Sequence, residues 1–165
     1  MLIKVKNKET LEISEFRFKC CIGLNGKTNS KSEGDKKTPV GKFNLGPLFY
    51  RPDREKKPKT KLTCIKITKN MNWCNDSTSK KYYNRLISKN KKIKYEKLYR
   101  RDYKYDLMIP VSYNSNPVRL GKGSAIFLHL TSKKYMPTKG CIAIKRRDFL
   151  KILPYIDKKT KIFIN

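Results

Sequence analysis

Short apolar runs, many alternating with polar residues, recur along the chain and predict a protein built mainly of β-strands. The predicted strands comprise residues 2–5, 11–13, 16–24, 39–43, 62–68, 105–113, 124–130, 141–144 and 161–164. The continuous apolar character of 124–130 predicts a central strand that is buried on both faces.

Helical spacing is clear only near the C-terminus. Residues 146–155 place Phe149, Leu150 and Leu153 at helical intervals, which predicts one short helix.

The stretch 50–103 is rich in Lys, Asn, Pro and Tyr and has little periodicity. We therefore expect it to form long loops over the active-site face.

Composition predicts one globular domain over residues 1–165, because 38% of the residues are hydrophobic and neither a repeat nor an interdomain linker is evident. Lys and Arg number 41 against 13 Asp and Glu, for a formal charge of +28. Such a charge favours an anionic substrate or partner. The lysines are spread from Lys4 to Lys161 without a nucleic-acid-binding motif, so specific nucleic-acid binding is not expected. A non-catalytic binder of the cell wall or another polyanion remains an alternative.

The cysteines are five in number and lack the spacing of zinc ligands, so we expect neither a metal nor a cofactor. No apolar run is long enough to span a bilayer, and the N-terminus does not resemble a signal peptide. A cytoplasmic monomer is expected if the sequence is complete, and a periplasmic or cell-wall-facing protein if a leader is missing from it.

The single histidine, His129, ends the apolar run. Cys141 follows twelve residues later at the start of the next predicted strand, directly after Gly140. An imidazole that accepts the proton of a nearby thiol makes a minimal nucleophilic catalyst. A glycine before the nucleophile permits a tight turn and leaves amides to bind an oxyanion. From spacing alone, such a pair is more often a packed or surface histidine and a buried structural cysteine.

Three segments are similar in order and spacing to the YkuD-type L,D-transpeptidase catalytic domain. They read EGDKKTPVGKF at 33–43, FLH at 127–129 and TKGC at 138–141. Further segments resemble a compact, single-domain branch of that family, at 50–54, 73–76, 83–85, 102–106, 113–114 and 121–127. The resemblance implies a mixed β-sheet sandwich with long active-site loops and one short C-terminal helix.

The resemblance also implies a reaction. Cys141 would attack the peptide bond after the L-centre of meso-diaminopimelate, or a comparable residue, in a peptidoglycan stem tetrapeptide and release the terminal D-residue. An amine of a second stem would then accept the acyl group, as in an L,D-transpeptidase. If water accepted it instead, the protein would be an L,D-carboxypeptidase that trims muropeptides in cell-wall recycling. The implied partners are stem peptides or muropeptides.

The resemblance assigns the base to His129 and its orienting carbonyl to Leu130 or Thr131. The amides of Gly140 and Cys141 are the expected oxyanion donors. Thr138 is expected to contact substrate or to stabilise the turn.

Two positions depart from the family pattern. Lys139 stands where many members have a second histidine, and Ala143 where many have Arg or Asn. Lys139 is therefore a candidate for contacting substrate or lowering the thiol pKa. The other carboxylate-binding candidates are Arg51, Arg54 and Arg85, although each could instead pair with Asp53, Asp76 or Asp102 to order a loop.

Overall fold

The computed structural model describes residues 1–88 and 92–165. In these two segments the chain is mainly β with one short α-helix, as the sequence pattern predicted. The strands are β1 (Leu2–Val5), β2 (Thr10–Ile13), β3 (Phe16–Cys21), β4 (Lys27–Thr28), β5 (Thr38–Pro39), β6 (Gly41–Asn44), β7 (Leu48–Tyr50), β8 (Cys64–Lys66), β9 (Met71–Cys74), β10 (Leu86–Ser88), β11 (Tyr95–Lys97), β12 (Leu107–Pro110), β13 (Phe127–Leu130), β14 (Ile142–Ile144) and β15 (Lys161–Ile164). The helix is α1 (Arg146–Ile152), followed by a 3₁₀ turn at Leu153–Tyr155.

Among the described residues, ten strands form one mixed sheet in the order β6-β15-β1-β2-β3-β14-β13-β12-β7-β8. The parallel pairs are β1 with β15, β13 with β14, and β7 with β8. A second sheet has the order β10-β9-β11, and β4 pairs with β5. The parallel pairing of β13 with β14 places Cys141, the residue before β14, beside Phe127 at the start of β13.

The two faces of β13 belong to different clusters of buried side chains. Leu128 and Leu130 lie in the main core, against which α1 packs Phe149 and Ile152. Phe127 lies in a second, smaller cluster that also contains Cys141. Because side chains alternate along a strand, His129 shares the face of Phe127.

In the stretch 50–103, β8 lies within the predicted strand 62–68, but the described residues form three further strands where long loops were expected, and that part of the prediction is wrong. These three, β9, β10 and β11, form the small sheet beside the Cys141 cluster. Trp73 on β9 packs edge-on against Phe127, with ring centroids 5.2 Å apart. These strands have only three or four residues each, and their polarity does not follow their burial, because Asn72 is buried whereas Leu86 is exposed. This explains why their periodicity is weak in the sequence.

The central strand begins later than its apolar pattern predicted, at Phe127 rather than Ser124. Ala125 has a φ of 53°, outside the strand region, and its amide donates to Asn84 Oδ1 at 3.0 Å. Asn84 also accepts a hydrogen bond from Trp73 Nε1 at 2.9 Å. The segment before β13 is therefore a buried loop in which the side chain of Asn84 satisfies the amide of Ala125.

Candidate active site

Cys141 and His129 face the same cleft, which has a volume of about 510 Å³. Leu128 pairs with Ile142 and His129 with Ala143, so Cys141 stands one residue before β14 on the face that carries the imidazole. Both residues are nearly buried, with 8% of Cys141 and 6% of His129 exposed. The structure thus brings together the two residues that the sequence singled out.

The imidazole of His129 is held on two sides. Its Nδ1 lies 2.9 Å from the carbonyl oxygen of Leu130, one of the two carbonyls expected for this contact. The Tyr105 ring packs edge-on against it, with centroids 5.2 Å apart. Since a carbonyl accepts only from a protonated nitrogen, the neutral ring carries its proton on Nδ1 and leaves Nε2 as an acceptor. Burial lowers the pKa of His129 to about 4, and the charges of Lys104 and Arg100 act in the same direction.

The thiol of Cys141 is neutral in this setting. Its Sγ donates to the carbonyl of Ala125 at 3.2 Å and accepts from the amide of Phe127 at 3.4 Å. Burial and, after it, the carboxylate of Glu96 raise the pKa of Cys141 to about 12, while the Phe127 amide and the charges of Lys31 and Arg100 act in the opposite direction. A neutral thiol beside a neutral imidazole suits general-base activation during attack rather than a preformed thiolate–imidazolium pair.

The turn before the nucleophile is closed by Thr138. Its hydroxyl donates to the Cys141 carbonyl at 2.6 Å and accepts from the Gly140 amide at 3.0 Å. Thr138 therefore has the turn role, one of the two expected for it. Because the Gly140 amide is engaged here, the Cys141 amide is the remaining one of the two candidate oxyanion donors.

Gly140 itself is required by the backbone. Its φ is +136°, and an added Cβ would lie 2.8 Å from the carbonyl oxygen of Lys37. The hydroxyl of Thr38 donates to the Gly140 carbonyl at 2.9 Å and accepts from the Gly23 amide at the same distance. The 33–43 segment thus supports the nucleophile's turn from behind.

Lys31 was not identified from the sequence, yet its side chain lies against this turn with only 5% of the residue exposed. Its Nζ donates to Asp35 Oδ1 at 2.6 Å and would lie 3.6 Å from a Cβ on Gly140. A side chain at Gly123 would also meet Lys31, at 2.8 Å from Cε. The glycines leave space for a buried ammonium beside the Gly140–Cys141 peptide, and its charge opposes the rise in the Cys141 pKa.

The predicted arginines lie away from the cleft. Arg51 is 2% exposed and binds Asp53 through Nε at 2.8 Å and Nη2 at 2.7 Å. Arg54 pairs with Asp106 at 3.1 Å, and Arg85 is exposed and outside the cleft lining. The first two are committed to carboxylates that order neighbouring loops, so the structure favours that alternative for them.

The cations that do line the cleft, among the described residues, are Lys31, Lys36, Arg100, Lys104 and Lys139. Lys139 therefore lies where it was expected, and it is exposed. Ala143 also lines the cleft and leaves space where a larger polar side chain would project. A surplus of cations suits a substrate that carries several carboxylates.

The described residues 1–88 and 92–165 contain no group of three side chains placed to hold a metal ion. No helix in those residues has the length and apolarity to cross a membrane. All five cysteines are unpaired.

A cysteine and a histidine on the same face of two neighbouring parallel strands define a candidate cysteine–histidine acyl-transfer site. The L,D-transpeptidase catalytic domain family, YkuD, matches residues 2–164, and the chain belongs to it.

The chain is also similar in structure to Pgp2, the helical cell shape determining protein of Campylobacter jejuni. The identity is 18%, the TM-score is 0.53, and the match covers 99% of this chain and 46% of Pgp2. A lysine-to-alanine mutant of Pgp2 matches with the same values. The chain thus spans less than half the length of that relative, and at this identity the likeness concerns the fold. No curated protein matches the chain.

Proposed function

We propose that the protein is a peptidoglycan L,D-transpeptidase with Cys141 as nucleophile and His129 as general base. The observation that carries this proposal is the placement of both side chains on one face of β13 and β14, in one cation-rich cleft. Membership of the L,D-transpeptidase family supports the same chemistry. The substrate is a stem tetrapeptide, whose carboxylates suit the charge of the cleft.

In the first half-reaction, Nε2 of His129 takes the thiol proton as Sγ attacks the carbonyl carbon after the L-centre of the third residue. The Cys141 amide binds the developing oxyanion. As the tetrahedral intermediate collapses, the carbon–nitrogen bond breaks and the imidazolium gives its proton to the leaving amine. The terminal D-residue departs and a thioester remains on Cys141.

In the second half-reaction, an amine of another stem attacks the thioester carbon. His129 takes a proton from the attacking nitrogen and returns it to Sγ as the carbon–sulfur bond breaks. The products are a cross-linked dimer and the free thiol. Attack by water through the same steps would give a tripeptide, which is the L,D-carboxypeptidase outcome.

The test is the product profile on purified disaccharide tetrapeptides, analysed by mass spectrometry. We expect a dimer that has lost one terminal D-residue, formed by the wild type and not by Cys141→Ala. Formation of tripeptide without dimer would show that water, and not an amine, resolves the acyl-enzyme. Full cross-linking by Cys141→Ala would refute the assignment of the nucleophile.

A carbapenem provides a second measurement, because it acylates an activated thiol without needing an acceptor. We expect a covalent mass increase on the wild type and none on Cys141→Ser. Absence of an adduct on the folded wild type would instead favour a non-catalytic binder of cell wall or another polyanion.

A further inference from the structure

Two carboxylates, those of Glu33 and Glu96, line a cleft whose other charged side chains are cationic, within the part of the chain that the structure describes. Glu33 is already bound, because its Oε2 accepts from the hydroxyls of Tyr83 and Ser124. Glu96 on β11 is different: its side chain is 28% exposed, so it can meet a ligand.

The carboxylate of Glu96 is only partly satisfied. Its Oε1 accepts from the hydroxyl of Tyr105, and Nη1 of Arg100 is 3.8 Å away. Arg100 directs its Nε and Nη2 to Asp102, at 2.8 and 2.6 Å. Oε2 of Glu96 accepts no hydrogen bond from the residues the structure describes. An ionised carboxylate has about four acceptor positions, so capacity for a further donor remains.

Tyr105 fixes this carboxylate next to the reacting groups. Its ring packs edge-on against both His129 and Phe127, at 5.2 and 5.7 Å between centroids, while its hydroxyl holds Glu96. The charge of Glu96 raises the pKa of the Cys141 thiol, which opposes activation of the nucleophile. Arg100 and Lys139 offset the charge of Glu96 in part, and a cation bound at its free oxygen would offset it further.

We propose that Glu96 binds a primary ammonium group of the peptide substrate, the side-chain ammonium of a diamino acid at the third position of the stem. This inference rests on the proposed function for the identity of the peptide. Bound in this way, the ammonium compensates the carboxylate with a charged hydrogen bond and removes its repulsion of the developing thiolate. A substrate that carries the ammonium therefore helps to activate Cys141, and a peptide that lacks it does not.

The test measures binding without turnover, by calorimetry on Cys141→Ala. The probes are the tetrapeptide with meso-diaminopimelate at position three and the same peptide with that side-chain amine acetylated. We expect acetylation to raise Kd about tenfold or more in Cys141→Ala, as for loss of a charged hydrogen bond. In Cys141→Ala/Glu96→Gln we expect acetylation to have little effect. Glu15→Gln in the same background removes an equal charge at an exposed turn and should leave the tenfold difference intact.

An acetylation effect of the same size with and without Glu96 would overturn the assignment, as would failure of the amine-bearing peptide to bind. Glu96→Gln keeps an oxygen acceptor for Tyr105, and carbapenem acylation of this variant with Cys141 intact checks that the site is folded. Glu96-dependent binding with no turnover by the wild type would refute the proposed reaction but support the ammonium site. Normal turnover by the wild type, with an acetylation effect that does not depend on Glu96, would support the proposed reaction and refute the ammonium site.

Discussion

The pH dependence of stability can be worked out for His129, because it is the only histidine in the chain. Burial lowers its pKa from 6.5 to about 4 in the folded protein. A group whose folded pKa is depressed stabilises the fold above its unfolded pKa, and that contribution is lost as the pH falls through the folded value. The difference between the two pKa values corresponds to roughly 3 kcal/mol. We therefore expect the free energy of unfolding to decline by about this amount between pH 6.5 and pH 4 on account of His129.

The assay is urea denaturation across this pH range for the wild type and for His129→Gln. The difference between the two proteins isolates the histidine, because Glu96 and Asp106 have raised pKa values and act with the opposite sign in the same window. A direct check is the NMR titration of the single imidazole. We expect a midpoint near 4 and the proton of the neutral ring on Nδ1, facing the Leu130 carbonyl.

The reasoning would be refuted by an NMR titration midpoint of His129 at or above pH 6.5. It would also be refuted if the free energy of unfolding changed with pH in the same way in the wild type and in His129→Gln. Either result would mean that the imidazole is hydrated, or that it carries a proton in the resting enzyme. The neutral thiol and neutral imidazole described for the site would then be replaced by an ion pair.

Three further results are expected. The ultraviolet difference spectrum of wild type minus Cys141→Ser should show no thiolate near neutral pH, since the pKa of Cys141 is about 12, and a thiolate signal there would contradict a general-base mechanism. Thr38→Val should lower the free energy of unfolding by about 2 kcal/mol in urea denaturation, because the Gly23 amide and the Gly140 carbonyl both lose a buried partner, and an unchanged value would remove its supporting role. Gly140→Ala should slow carbapenem acylation at least about tenfold through backbone strain of about 1–3 kcal/mol, whereas wild-type acylation rates would show that the turn tolerates a side chain.

The sheet's buried strands could be predicted because their apolar runs are bounded by polar or turn residues. β1 and β15 have the predicted bounds, and β13 is contained in its predicted segment. The start of β13 could not be predicted, since the loop before it is as apolar as the strand and depends on the side chain of Asn84. The local pattern of apolar residues indicates which segments are buried. It does not indicate which distant side chain makes the hydrogen bonds that the backbone of a buried loop requires.

The residues of the candidate site could likewise be predicted only in part from the sequence. His129 and Cys141 could be predicted because they end and begin consecutive apolar runs. Parallel pairing of these runs places His129 opposite Ala143, so that Cys141 lies two positions away on the same face. Glu96 and Lys31 could not be predicted, because their significance depends on contacts with Tyr105 and with the turn at Gly140. For Lys31, its position two residues before the EGD sequence was the available signal, but a lysine in a polar loop is ordinarily exposed.

The position of β15 has a consequence for how the protein is made. This strand lies inside the large sheet, between β6 and β1, and pairs Lys161 with Leu2. On the ribosome, β1 must wait until synthesis has reached β15 before this partner arrives, and until then that edge of β1 is open to other chains. Pairing over such sequence distances slows folding and prolongs exposure to aggregation. The edge of β1 that faces β15 is therefore a site at which the nascent chain can aggregate until β15 has inserted.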